Sequence, residues 1–332
     1  MWSFESLAAI DARGSRPVSP DRAKIERVKT VSQTAGKDDI RQFWTSLYES
    51  LYEDVDRDLT RDRLFKGLED LEDMFRFRGH MAVVEMPLAE LVGKRVLEVG
   101  PGSGGHAALF ARYGAVIAAV DISSDRARAT DAKFRLLGEA AKGCQALQGD
   151  AEALPFADDC FDIVYSNGVL HHTFDTQRAV DEAFRVLKPG GRAVIMLYCK
   201  SSWQYWINLL LCVGILQGKW FRDPANWLGK ATEWGGKKQQ TVENPVTRCY
   251  TAGGIRKLFR RFRKVTLRKG EFYFFLIPKL GRLYRRYQIR RYGTHPGGIL
   301  VYGEPWPLQS RLELKLGKIM GFAWFISARK PG

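Results

Sequence analysis

The sequence predicts an α/β fold, a mostly parallel sheet flanked by helices, and three observations carry that prediction. The segment Arg95-Val-Leu-Glu-Val-Gly-Pro-Gly-Ser-Gly-Gly105 is a short apolar run that ends in a carboxylate, then a glycine-rich turn, then a helical pattern over 106–112. A second apolar run over 115–121 ends in Asp121. Beyond it, strand-like and helix-like patterns keep alternating: apolar residues over 161–165, a helical stripe at Ala179, Val180, Ala183, Phe184 and Leu187, and a further apolar run over 192–198.

Each element has a chemical reading. Val96, Leu97 and Val99 form a buried strand, and the glycines fall where it must stop. A glycine there lets the backbone turn tightly and lie directly against a ligand. The helix that follows aims free N–H groups and about half a positive charge at the same spot. This pattern reads as a site for a nucleotide-type cofactor. Gly100, Gly102 and Gly105 satisfy the G-x-G-x-x-G spacing of dinucleotide-binding proteins. Glu98 argues against a diphosphate, since a carboxylate so close would repel it, whereas an ammonium group would be well served. Asp121 suits a ribose clamp in either case, each charge-assisted bond being worth about 1.5–3 kcal/mol. The helical stripe over 175–187 stops at Lys188-Pro-Gly-Gly191, a helix-end signal.

The glycine loop with its preceding Glu98, Asp121, the stretch Gly149-Asp150-Ala-Glu-Ala-Leu-Pro-Phe156 and the stretch Phe161-Asp-Ile-Val-Tyr-Ser-Asn-Gly-Val-Leu-His-His-Thr173 together resemble the class I S-adenosylmethionine-dependent methyltransferases, over residues 94–198. The resemblance implies a Rossmann-like sheet of seven strands, mostly parallel with the last antiparallel, and helices on both faces. It implies S-adenosyl-L-methionine as cofactor, held by Glu98, Gly100, Gly102, Gly104, Asp121, Ile122, Asp150, Ala151 and Asn167. In that reading Asp150 accepts from the adenine amino group, the Ala151 N–H meets a ring nitrogen, Ile122 lies against the ring, and Asn167 sits near the methionine end.

The same resemblance organises the chain. Residues 1–35 are expected to be a flexible lead-in and 36–92 a helical cap, with Phe43-Trp44, Leu47-Tyr48 and Leu51-Tyr52 recurring at helical spacing. The cofactor core is expected over 93–199 and an aromatic insertion over 200–249. The remainder of the core falls over 250–332, with a helix at 250–262, the sixth strand at 264–275 and the seventh at 321–329. A basic insertion interrupts it at 276–320. Trp203, Tyr205, Trp206, Trp220, Phe221, Trp227 and Trp234 mark the first insertion, together with an apolar run over 205–216 broken only by Asn208. Crossing a bilayer takes about 20 residues, so that run is a core helix, a lid over an apolar substrate or an interfacial anchor, and no transmembrane segment is expected.

With 332 residues and 45% hydrophobic content the chain can bury one ample core. Five scattered cysteines without C-x-x-C spacing suggest neither disulfides nor a metal site, and the N-terminus has no apolar leader, so a cytoplasmic enzyme is expected. The formal charge is +15. Residues 256–291 hold 14 basic residues against one acid, Glu271, often as pairs beside aromatics. Such a stretch attracts an anionic membrane surface, an acidic carrier protein or nucleic acid, unless it is only a solvated face.

Nucleic acid is the less favoured partner. The loop Ser166-Asn167-Gly168 lacks the Asn/Asp-Pro-Pro-Tyr/Phe or Pro-Cys motifs of base methyltransferases, and Asn244-Pro245 lies elsewhere in the chain. The loop resembles enzymes of the small-molecule branch, those acting on quinones, sterols and natural products. The expected function is therefore methyl transfer to an oxygen or carbon of an apolar small molecule, in the cytoplasm or at the inner face of the membrane. The alternatives are RNA methylation by way of 256–291 and an inactive cofactor-binding protein. His172 and His171 are the candidate proton acceptors, because imidazole titrates near neutrality. His106 is expected on the helix surface or beside the cofactor, and His80 and His295 carry no signal.

Overall fold

Alternation along each strand sorts the core onto two sides of one seven-stranded sheet. In the computed structural model, which describes residues 36–232, 244–277, 280–294, 300–301, 304–305 and 307–332, the strands are β1 (Arg95–Val99), β2 (Val116–Asp121), β3 (Gln145–Gln148), β4 (Phe161–Asn167), β5 (Leu187–Tyr198), β6 (Arg263–Gly270) and β7 (Ala323–Arg329). Their order across the sheet is β3-β2-β1-β4-β5-β7-β6. The pairs from β3 to β5 are parallel, and β7 runs antiparallel to both β5 and β6. Val96, Ile117 and Ile163 face one core with Leu68, Phe75 and Phe110, while Leu97, Val120 and Val164 face the other with Val180, Ile255 and Phe259. Each fully buried side chain of this size contributes about 1.5–3 kcal/mol.

The first core is covered by α2 (Arg61–Arg78), α3 (Gly105–Arg112) and α4 (Ser124–Leu137), the second by α5 (Thr176–Val186) and α6 (Ala252–Leu258). Ahead of them in the chain, α1 (Lys37–Arg57) buries Ile40, Phe43 and Leu47. The caps sit where the side chains require. Thr60 accepts from the Arg63 N–H, Asp175 from the Arg178 N–H at 3.0 Å, and Thr251 from the Gly254 N–H. Two further helices follow, α7 (Gly281–Tyr292) and α8 (Arg311–Met320), the latter opened by a Ser310–Glu313 capping box.

Several bounds differ from the sequence expectation. Leu187 already takes extended backbone, and the helix ends there, two residues ahead of Pro189, which could not continue it and restricts Lys188 before it. The fifth strand therefore begins at the expected helix end, with an irregularity between the Phe161 and Ile163 pairs that absorbs Lys188–Gly191. The sixth strand stops at Gly270 rather than running to 275, since Glu271 adopts φ 61°. The helix expected over 250–262 is shorter, Ala252–Leu258. The apolar run of the first insertion forms a π-helix, Gln204–Leu216. The expected lead-in over 1–35, the side chains of Leu51 and Tyr52, and Trp234 and His295 lie outside what the structure describes.

Candidate active site

The cleft opens at the C-terminal ends of β1, β2 and β4, where an open parallel sheet receives ligands. Its volume is about 750 Å³. Gly100, Gly102, Asp121, Ile122, Asp150, Ala151, Asn167 and His172 all line it, so eight of the residues singled out in the sequence converge on one space. Glu98, Gly104 and His171 do not line it.

The glycine loop is a cradle in the literal sense. Gly100 holds φ 74°, and a Cβ there would lie 2.3 Å from a Val169 methyl. A Cβ on Gly102 would lie 2.4 Å from the Tyr48 hydroxyl. Backbone therefore forms the floor of the cleft, as close approach of a ligand demands. Gly104 serves packing instead. Its Cβ would lie 2.7–3.0 Å from Thr130, so its hydrogen is what lets α3 pack on α4.

Asp121 ends β2 with its carboxylate buried, accepting from the Ser123 N–H at 2.9 Å and the Gly102 N–H at 3.2 Å. Burial pushes its carboxyl up, and those backbone donors oppose the shift. Asp150 accepts from the Glu152 N–H at 2.9 Å through one oxygen and pairs with Lys37 of α1 through the other. Lys37 also approaches Glu152 at 3.5 Å. The acceptor expected for an adenine amino group thus also ties down the N-terminal helix. Ile40, Trp44 and Tyr48 of that helix form one wall of the cleft.

Glu98 lies under the loop on the face covered by α3, 1% exposed and 3.8 Å from His106 Nδ1. Its Oε2 is buried and has no hydrogen-bond partner among the described residues. Burial, with the nearby Asp121 charge adding to it, raises its carboxyl to about 8. His106 cannot compensate, because burial lowers it to about 4 and keeps it neutral. That unpaired oxygen makes Glu98 a candidate socket for a cation, although the residue does not itself line the cleft.

His172 also lines the cleft, 3% exposed, with the Trp44 ring edge-on at 5.0 Å. Its Nδ1 is 2.9 Å from the Val246 carbonyl oxygen. A carbonyl only accepts, so the proton belongs on Nδ1 and the basic lone pair on Nε2. The Thr247 hydroxyl stands 3.1 Å from the same nitrogen, and Asn244 donates to that hydroxyl at 2.9 Å. Thr232 joins the same hydroxyl at 2.9 Å. His171, by contrast, is fully buried against Tyr198 at 3.9 Å between centroids, and burial drives it well below the usual imidazole range. It packs inside the loop and does not line the cleft.

The strap 244–248 is the part that sequence reasoning misses. Asn244 is remote from the loop in the chain, yet it lies 3.3 Å from His172 Nδ1. Arg248 donates to the Thr173 and Phe174 carbonyls, and its N–H donates to the His171 carbonyl at 3.0 Å. Only the cluster of hydrogen-bonding side chains at Asn244 and Thr247 hints at it, and no spacing rule ties them to His172. His80, equally silent in sequence, caps the turn Met81–Val84 and stacks on Phe75.

Comparison with known proteins settles the class. Residues 97–195 match the family described as "Methyltransferase domain". The core belongs to the S-adenosylmethionine-dependent methyltransferases. Its cofactor is S-adenosylmethionine. The chain is 36% identical over 108 residues to a demethylmenaquinone methyltransferase of Clavibacter sepedonicus, covering 32% of this chain and 42% of that protein. It is 38% identical over 112 residues to the ubiquinone/menaquinone biosynthesis C-methyltransferase UbiE of Pasteurella multocida, covering 32% of this chain and 41% of that protein. The chain thus spans about two fifths of the length of these relatives. Among solved structures, a phosphoethanolamine N-methyltransferase 2 of Haemonchus contortus in complex with S-adenosylhomocysteine superposes with a TM-score of 0.44 at 18% identity, over 73% of this chain and 50% of that one.

Proposed function

We propose that this methyltransferase transfers the methyl group to an oxygen or carbon of an apolar small molecule of lipid, quinone or natural-product type. The observation that carries the reading is one cleft lined both by Gly100, Gly102 and Asp121 and by a His172 with its Nδ1 fixed on a carbonyl and its ring against Trp44. Relatives named as quinone C-methyltransferases support the substrate class.

S-adenosylmethionine supplies an electrophilic methyl on a positively charged sulfur. The chain supplies the rest. The glycine loop and Asp121 orient the cofactor, which provides most of the rate gain through proximity. Asn167 lines the same cleft. Trp44 closes the acceptor end from water and offers an apolar wall. His172 Nε2 takes the proton that the acceptor oxygen or carbon must lose as the new bond forms. The protein is expected in the cytoplasm or at the inner face of a membrane.

Incubating the full chain with S-adenosylmethionine and lipid, quinone or RNA extracts tests the proposal by mass. A gain of one methyl on an apolar compound supports it, and methylation of RNA alone overturns it. Against RNA as the acceptor, three of the basic residues in 256–291 are engaged within the protein. Arg268 forms a two-bond pair with Glu85 at 2.7 Å, Arg261 pairs with Asp181, and Lys269 donates to the Ser201 and Ile319 carbonyls.

A further inference from the structure

The π-helix Gln204–Leu216 carries no charged residue, and its i→i+5 bonding, as in Gln217 N–H to the Cys212 carbonyl, gives faces with a period of four to five residues. One face, Tyr205, Leu209 and Gly214, is buried against Trp227 and Phe322. The other leaves Trp206, Ile207, Leu211, Ile215 and Leu216 at 38–73% exposed, and Trp220 and Phe221 extend it at 42% and 71%. A contiguous stripe of this size is unusual on a protein in water and marks a docking surface.

Charge selects the partner. A chain of aromatic contacts links this helix to α7: Trp203 to Phe272 at 5.5 Å, Phe272 to Phe274 at 5.0 Å, and Phe274 to Tyr284 at 5.2 Å. α7 holds five arginines and no acid, and it is pinned by Gln288, whose amide donates to the buried Glu313 at 2.5 Å. Arg286, Arg290 and Arg291 stay exposed beside Leu283 and Tyr287, which are 65% and 53% exposed. Exposed leucine, isoleucine and tryptophan gain from hydrocarbon, and arginines from phosphate. A second copy of this chain would bring the same positive helix and repel. Nucleic acid would leave the aliphatic stripe in water.

We propose that the exposed faces of the π-helix and α7 dock the protein on an anionic lipid bilayer, with the π-helix lying in the interfacial plane. No described helix is long and apolar enough to cross a membrane. The buried face of the same π-helix packs on Tyr198, whose ring is 5.7 Å from that of His172. Docking therefore sets the acceptor end of the cleft beside the lipid. That consequence rests on the proposed apolar acceptor, whereas the docking itself does not.

The test is flotation of the full chain with phosphatidylglycerol/phosphatidylcholine vesicles, beside phosphatidylcholine alone and a single-stranded RNA. Two variants accompany it, Leu211→Glu with Leu216→Glu, and Arg286→Glu with Arg290→Glu. Calorimetric binding of S-adenosylhomocysteine by each variant reports an intact fold. Wild type should float with the anionic vesicles at low salt and be largely released near ~0.5 M salt. The leucine variant should stay with the unbound protein, and the arginine variant should partition at least about 30-fold less. Absence of flotation, flotation indifferent to both variants, retention by RNA in place of vesicles, or self-association abolished by the leucine variant would each overturn the proposal. Loss of homocysteine binding in wild type with flotation intact would instead overturn the methyltransferase reading.

Discussion

Replacing Glu98 by glutamine should make the protein more stable and a poorer binder of its cofactor. The carboxyl is 1% exposed and raised to about 8, against 4.5 for the ordinary side chain. Between those values the folded state holds a proton that the unfolded chain has released, so stability falls as pH rises through that window and levels off above pH 8. The slope is about 1.4 kcal/mol per pH unit, giving a loss on the order of 3–5 kcal/mol by pH 8.5. Glutamine has nearly the same shape and never ionises, so the variant escapes that loss. Urea unfolding at pH 5, 6, 7 and 8.5 should show the two proteins close at pH 5 and diverging steadily, with Glu98→Gln ahead. Calorimetry with S-adenosylhomocysteine at pH 7, in phosphate and in Tris, should then show wild type releasing close to one proton as an ammonium enters the socket and favours the carboxylate. The variant should release none and bind more weakly. Parallel stability curves across that pH range would refute the reasoning, because they would mean that Glu98 is ionised in the folded protein.

Asp121→Ala removes a buried acceptor of the cleft and should cost about 1.5–3 kcal/mol of S-adenosylhomocysteine affinity, read by calorimetry. Gly100→Ala combines a positive φ with a Cβ 2.3 Å from Val169, and should destabilise by about 2–4 kcal/mol in urea while abolishing cofactor binding. His172→Gln should leave S-adenosylhomocysteine affinity within a factor of about two and cut methyl transfer to any acceptor found by about 10²–10⁴-fold. Thr247→Val should lower kcat without altering the fold, and heteronuclear NMR should show the His172 proton redistributed between its two nitrogens.

The cofactor half of the cleft was legible because its chemistry is local. A carboxylate, three glycines and a strand-ending aspartate each act within a few residues of the turn that presents them. The strands were legible for the same reason, since period-two burial is written in Val96, Leu97, Ile117 and Val120. The acceptor half was not. His172 is set by Val246 and Thr247, 74 and 75 residues away in the chain, and nothing in either side chain announces that pairing. His171 and His172 are identical in sequence terms, and only the packing of Tyr198 against the former separates them. The basic stretch reads as one patch, yet Glu85 and Asp181, from other elements, neutralise part of it. The π-helix escaped because an uninterrupted apolar run carries no period to read.

Titration calorimetry of the full chain with S-adenosylhomocysteine, and separately with NAD, bears most directly on the central claim that the cleft takes a sulfur-linked adenosyl amino acid. The account predicts saturable heat with S-adenosylhomocysteine, with affinity about 10- to 150-fold weaker in Asp121→Ala, and none with NAD. Heat with NAD and silence with S-adenosylhomocysteine would contradict it.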